Sequence, residues 1–89
     1  MVLASQRVLR PDGTFAPATI HIDAGRITAV EDRISPQAEQ VDLAIVPGYV
    51  DTHCHGAAGA DFTDEDPQKV RAAIEHHRAN GTTTQFAST

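Results

Sequence analysis

Residues 47–56 read Pro47-Gly48-Tyr49-Val50-Asp51-Thr52-His53-Cys54-His55-Gly56, an apolar start that runs into two histidines two positions apart. In an extended chain, side chains i and i+2 leave the same face about 6.5–7 Å apart along the strand. His53 and His55 therefore lean to one side, where two imidazole nitrogens can each approach a Zn²⁺-like ion to about 2.0–2.1 Å. Gly56 marks the strand end and gives the backbone room for that convergence. Strict alternation predicts Asp51 on the same face and Cys54 on the opposite one. A bare His-x-His also occurs on solvated surface strands, so its surroundings carry the argument. Leu43-Ala44-Ile45-Val46 reads as an approach to the core, Pro47-Gly48 as a turn, and Tyr49-Val50 as the start of a new strand. A polar triplet Asp51, His53, His55 facing inward from such a strand is costly to bury unless it is paired or bound to metal. Metal binding by His53 and His55 is the expectation.

Downstream, Asp66-Pro67 supplies a helix cap and a first-turn proline. Val70, Ala73, Ile74 and His77 recur at helical spacing until Asn80-Gly81 closes the element. A helix from Pro67 to about Asn80 is predicted. Thr82 to Thr89 is rich in β-branched residues and reads as a strand. A strand at 49–55, a crossover helix and a strand at 83–88 make a βαβ unit, which implies parallel pairing and a sheet buried on both faces. Two strands and one helix do not supply that cover, and Thr89 follows directly on a predicted buried strand. The residues are therefore expected to be the opening portion of a larger α/β protein.

Upstream, residues 2–9 read as a first strand, and Pro11-Asp12-Gly13-Thr14 as a turn. Ala18–Asp23 and Arg26–Glu31 each alternate in the two-residue period around Ala24-Gly25, which predicts a β-hairpin with His21 on its solvent-exposed polar face. Asp32 to Asp42 is polar and without a period, and reads as a connector. Cys54, the single cysteine, excludes an internal disulfide, fits a reducing compartment and suits a small buried filler. His76 and His77 project about 100° apart on a helix and do not readily hold one ion together; His77 is expected at the rim of the apolar stripe. Gly56, Ala57, Ala58, Gly59 and Ala60 form a compact loop that lacks the pattern of a phosphate cradle.

At 89 residues the chain holds one small domain at most, or a piece of something larger. Seven basic against twelve acidic residues give a formal charge of -5 with the basic positions scattered, which argues against nucleic-acid binding. No apolar run approaches the roughly 18–20 residues that span a bilayer. The start Met1-Val2-Leu3-Ala4-Ser5 carries no export pattern, and a cytoplasmic location is the expectation.

The order of hairpin, connector, Pro47-Gly48-Tyr49-Val50-Asp51-Thr52-His53-Cys54-His55-Gly56, helix and Gly81-Thr82-Thr83-Thr84 resembles the beginning of an amidohydrolase-superfamily enzyme over nearly the whole chain. Within the superfamily, His55-Gly56-Ala57-Ala58-Gly59 with Asp61-Phe62 is most similar to the N-acetylglucosamine-6-phosphate deacetylase family. Dihydroorotases and related cyclic amidases typically carry an arginine where Ala57 stands, which favours the sugar deacetylases. The resemblance implies an α/β fold: the first βαβ unit of a metal-dependent (β/α)8 barrel in residues 47–89, preceded by strands of a small β-sandwich domain in residues 1–46. The active site is then expected in the loop after the barrel strand. It implies His53 and His55 as first-strand ligands of a divalent ion, with Zn most expected and Fe, Co or Ni able to replace it, at one or two ions per full-length active site. Some deacetylases of this family have other residues at these positions and use one metal, so the pair suggests a second metal site. Asp51 is a candidate partner that orients a ligand histidine, weighed evenly against a purely structural hydrogen-bonding role.

The implied reaction is hydrolysis of the acetamide of N-acetylglucosamine 6-phosphate, a small-molecule amino-sugar phosphate, by a full-length parent expected to be a homo-oligomer. No catalytic residue is placed within these 89 positions. The remaining ligands and the catalytic Asp of such enzymes come from later barrel strands, so the chain alone is expected to be inactive. The rival readings are another amidohydrolase acting on a cyclic amide, an N-acyl amino acid or a different acetylated sugar, and a non-catalytic binding module built on the hairpin.

Overall fold

The start of the chain forms three consecutive antiparallel strands, β1 (Val2–Leu9), β2 (Phe15–Asp23) and β3 (Arg26–Glu31). The computed structural model describes residues 1–89, and their contacts divide into two units, Met1–Pro47 and Gly48–Thr89. No helix is long and apolar enough to cross a membrane.

In the first unit a two-residue strand β4 (Glu39–Gln40) adds in parallel to the outer side of β1, giving the order β3-β2-β1-β4. The β2–β3 turn uses Ala24 (φ 47°) and Gly25 (φ 75°), the pair of positive φ values that matches the twist of a two-residue hairpin. Val8, Ala18 and Ile20 form the core, flanked by Ile22 and Ile45. Fully buried Thr19 holds the connector to this core: its Oγ1 donates to the Arg33 carbonyl at 2.8 Å and accepts the Ser35 N–H at 2.8 Å. The connector is thus more ordered than its lack of period predicts, because a side chain rather than a ladder satisfies its backbone.

Two expectations are corrected in this unit. Of the segment expected to approach the core, only Ile45 does so, bridging in parallel to Val8, while Leu43 is 70% and Val46 45% exposed. A segment laid along a sheet edge presents only one face to the core. His21 is half-buried rather than solvent-exposed, because its Nε2 contacts Glu31 Oε1 at 2.5 Å and Glu31 also pairs with Arg33.

The second unit contains β5 (Tyr49–Cys54), the two-residue strands β6 (Gly56–Ala57) and β7 (Ala60–Asp61), α1 (Pro67–Ala79) and β8 (Thr82–Ala87). β5 and β8 pair in parallel across α1, the strand–helix–strand order that the sequence predicts. Asp66 caps α1 by accepting the Gln68 N–H at 2.9 Å, and Pro67 occupies the first turn, where its missing N–H costs nothing. The helix packs on β6, β7 and β8 through a face centred on buried Ala73. Gly48 has no room for a side chain, since an added Cβ would stand 2.1 Å from Thr83 Cγ2. Tyr49, Val50 and Phe86 remain 62%, 61% and 58% exposed, an unusual state for apolar residues of a parallel pair. A largely apolar groove of about 760 Å³ lies along α1 and β8, lined by Phe62, Val70, Ile74 and Thr83 among others; none of the candidate metal residues lines it.

Candidate metal centre

The geometry at the end of β5 depends on a register shift. Asp51 pairs with Gln85 and Cys54 with Ala87, so three steps on β5 are matched by two on β8 and one extra residue is accommodated near Thr52–His53. Such a bulge reverses the alternation beyond it. The Asp51 carboxylate consequently lies with Cys54 Sγ and His77, their ligand atoms all within 4.8 Å of one another. This corrects the simple parity argument, which put Asp51 on the face of the two histidines and opposite Cys54. The Asp51 Oδ1 atom accepts the backbone N–H of His53 at 3.1 Å.

His53 and His55 stand with ring centroids 5.0 Å apart and planes at 71°. Two imidazoles bound at about 2.0–2.1 Å to one tetrahedral ion have centroids roughly 5 Å apart, and the same separation is that of an ordinary edge-to-face contact between two rings. Both residues are exposed. The cost of burying an unpaired polar triplet, which entered the sequence argument, therefore does not arise among these residues. Two imidazoles alone do not complete the site, because catalytic zinc centres take three protein ligands and a water. Asp61, on β7, is near enough for the charge of His55 to favour its ionised form. Its carboxyl is held below the usual carboxylate range first by the Thr63 hydroxyl, which donates at 2.6 Å, and next by the Thr63 N–H at 2.7 Å, with desolvation opposing.

The backbone that carries the pair is held at successive residues. The Cys54 carbonyl accepts from the Ser88 N–H at 2.8 Å and the His55 carbonyl from the Phe62 N–H at 2.8 Å. The Gly56 carbonyl lies 3.2 Å from His77 Nε2, which is also 3.1 Å from Cys54 Sγ. His77 was expected only at the rim of an apolar stripe; it instead reaches from α1 to the strand end. Cys54 is buried, as a small filler would be, but its thiol is engaged rather than inert. No spacing signal announces this trio, since Asp51 and Cys54 meet through a bulge and His77 arrives from 23 residues away. Asp51, Cys54 and His77 have the donor chemistry to hold a soft divalent ion. The 3.1 Å S···N separation is shorter than the roughly 3.5 Å between two ligands of a tetrahedral zinc, and is that of a hydrogen bond.

No protein-family model matches the chain. It is 31% identical over 80 residues to N-acetylgalactosamine-6-phosphate deacetylase of Escherichia coli O157:H7, covering 90% of the chain and 21% of that relative. It is 43% identical over 61 residues to allantoinase of Streptomyces avermitilis, covering 62% of the chain and 14% of the relative. Its fold superposes on the crystal structure of N-acetyl-D-glucosamine-6-phosphate deacetylase from Mycobacterium smegmatis with a TM-score of 0.85 at 35% identity, over 100% of the chain and 26% of that structure. A mutant of that enzyme in complex with N-acetyl-D-glucosamine-6-phosphate gives 0.85 at 34% identity, over 98% of the chain and 24% of that structure. The chain thus spans about a quarter or less of the length of the relatives it matches. In sequence and in fold it resembles the N-terminal portion of N-acetylglucosamine-6-phosphate deacetylase, a mixed α/β region of mostly strands with one helix.

Proposed function

We propose that this chain supplies the first-strand metal ligands, His53 and His55, of a deacetylase that hydrolyses the acetamide of N-acetylglucosamine 6-phosphate to glucosamine 6-phosphate and acetate. The observation that carries the reading is the spacing of those rings, 5.0 Å apart at the carboxyl end of a parallel strand, in a chain similar to such deacetylases. Residues 47–89 are read as the first βαβ unit of a (β/α)8 barrel and residues 1–46 as part of a small β-sandwich. The exposed Tyr49, Val50 and Phe86 support that reading, as flanking strands and helices would cover them.

The residues fit a divalent ion, whose chemistry when bound would be to supply water of lowered pKa and to polarise the amide carbonyl. His53 and His55 would hold it, Zn²⁺ being most expected. Asp51 would act on the pair through the His53 N–H, steadying the backbone between the two ligands. No carboxylate of the chain is given the proton-transfer role, which is read as belonging to residues outside it; the 89 residues alone would be inactive. A cytoplasmic setting and a homo-oligomeric parent complete the proposal.

The test is acetate release from N-acetylglucosamine 6-phosphate by the full-length parent, with metal analysis of the purified protein. Stoichiometric divalent metal and acetate formation, both lost in the His53→Ala/His55→Ala variant, are expected; a metal-free protein with no deacetylase activity would overturn the reading. The N-acetylgalactosamine 6-phosphate and allantoin arms of the same assay address the second reading, which the galactosamine deacetylase and allantoinase matches favour.

A further inference from the structure

We infer that His77, on the helix, is a positioning residue for the metal-ligand pair, an inference that rests on His53 and His55 holding the ion. Three successive carbonyls follow His53, and each is committed to a different part of the second unit: Cys54 to Ser88 beyond β8, His55 to Phe62 beyond β7, and Gly56 to His77 of α1. The first two partners are backbone groups present whatever the side chains are. The third is an imidazole, with the Cys54 thiol 3.5 Å from the same oxygen, so side chains rather than backbone decide whether the Gly56–Ala57 peptide is held.

The Gly56–Ala57 peptide begins one residue beyond His55, and its orientation is set by the φ and ψ of Gly56. Gly56 sits at φ +153°, and an added Cβ would stand 2.1 Å from the Ala60 carbonyl oxygen, so only glycine fits while the loop keeps its path. A glycine that tight turn requires is also the residue whose peptides rotate most freely when unrestrained. The hydrogen bond from His77 removes that freedom, and a metal ligand must be held within about 0.5 Å of its productive position.

The tautomer follows from the acceptors. A proton on Nε2 can be donated to the Gly56 oxygen at 3.2 Å and shared with Cys54 Sγ at 3.1 Å, whereas a bare Nε2 would set its lone pair against the carbonyl. The same argument weighs against an ion on Asp51, Cys54 and His77, because Nε2 coordinated to metal has no proton for Gly56. His77 is half-buried and the thiol beneath it is buried, so water competes poorly for the bond.

The experiment is calorimetric titration of the full-length parent, stripped of metal, with Zn²⁺ alone, alongside thermal melts. His77→Ala is expected to raise the Zn²⁺ dissociation constant about 10- to 100-fold, the range found when a group supporting metal ligands is removed. His77→Gln, whose amide N–H reaches a similar place, is expected to recover most of the affinity, and Cys54→Ala to keep it. If His77→Ala lowers the melting temperature but leaves affinity unchanged, or if the Gln variant binds no better than the Ala variant, His77 has only a structural role. If Cys54→Ala abolishes binding while His53→Ala/His55→Ala retains it, the ion sits on the trio and the inference is overturned. Where His77→Ala does not fold, the Gln and Cys54 variants still decide. Failure of the proposed function is read separately, as absence of Zn²⁺ binding by the unaltered protein.

Discussion

Gly56 shows how much one residue carries. Its neighbours crowd it so closely that any Cβ meets the Ala60 carbonyl, and its φ of +153° is a region that L side chains rarely adopt. Gly56→Ala is expected to destabilise the 56–61 loop by about 1–3 kcal/mol, the usual cost of a residue forced into such a backbone conformation. Amide hydrogen exchange at Phe62, whose N–H bonds the His55 carbonyl, checks this: its protection should fall in the variant, and undiminished protection would show that the loop adapts.

At the scale of elements, the β2–β3 hairpin is fastened by a cross-strand contact that alternation alone misjudged. Glu31 is held below the usual carboxylate value of 4.5, first by its hydrogen bond to His21 and further by the charge of Arg33, with desolvation opposing. A depressed folded-state pKa means the unfolded chain binds the proton more readily. The contribution is therefore fully present above about pH 4.5 and is lost as pH falls through the lower folded value. Carboxyl NMR titration should place the Glu31 midpoint below 4.5 and move it back toward that value in His21→Ala. A midpoint unaffected by the substitution would assign the effect to Arg33 alone.

The two units differ in how well each covers its apolar residues. The first has a buried centre in Val8, Ala18 and Ile20, whereas the parallel pair of the second exposes Tyr49, Val50 and Phe86. In the 89-residue chain, native-state hydrogen exchange should therefore protect β1 and β2 more strongly than β5 and β8. Equal protection would show that two strands and one helix suffice. On the proposed reading, in which flanking strands and helices cover β5 and β8 in a longer parent, the difference is expected to vanish there.

The longer strands β1, β2, β3, β5 and β8, the hairpin, the helix with its Asp66-Pro67 start and the strand–helix–strand order were legible in the sequence, whereas the two-residue strands β4, β6 and β7 fall in segments that read as connector and loop. The His53-x-His55 spacing is also a property of the sequence, but strand alternation does not place its rings, since the bulge lies near Thr52–His53 and His55 falls just past β5. What only the tertiary structure decided are contacts made across distance. The bulge near Thr52–His53 moved Asp51 to the side of Cys54, His21 found Glu31, and His77 crossed from α1 to the Gly56 carbonyl. None of these has a local signature, since register and side-chain meetings are set by how elements pack and not by the period within any one of them.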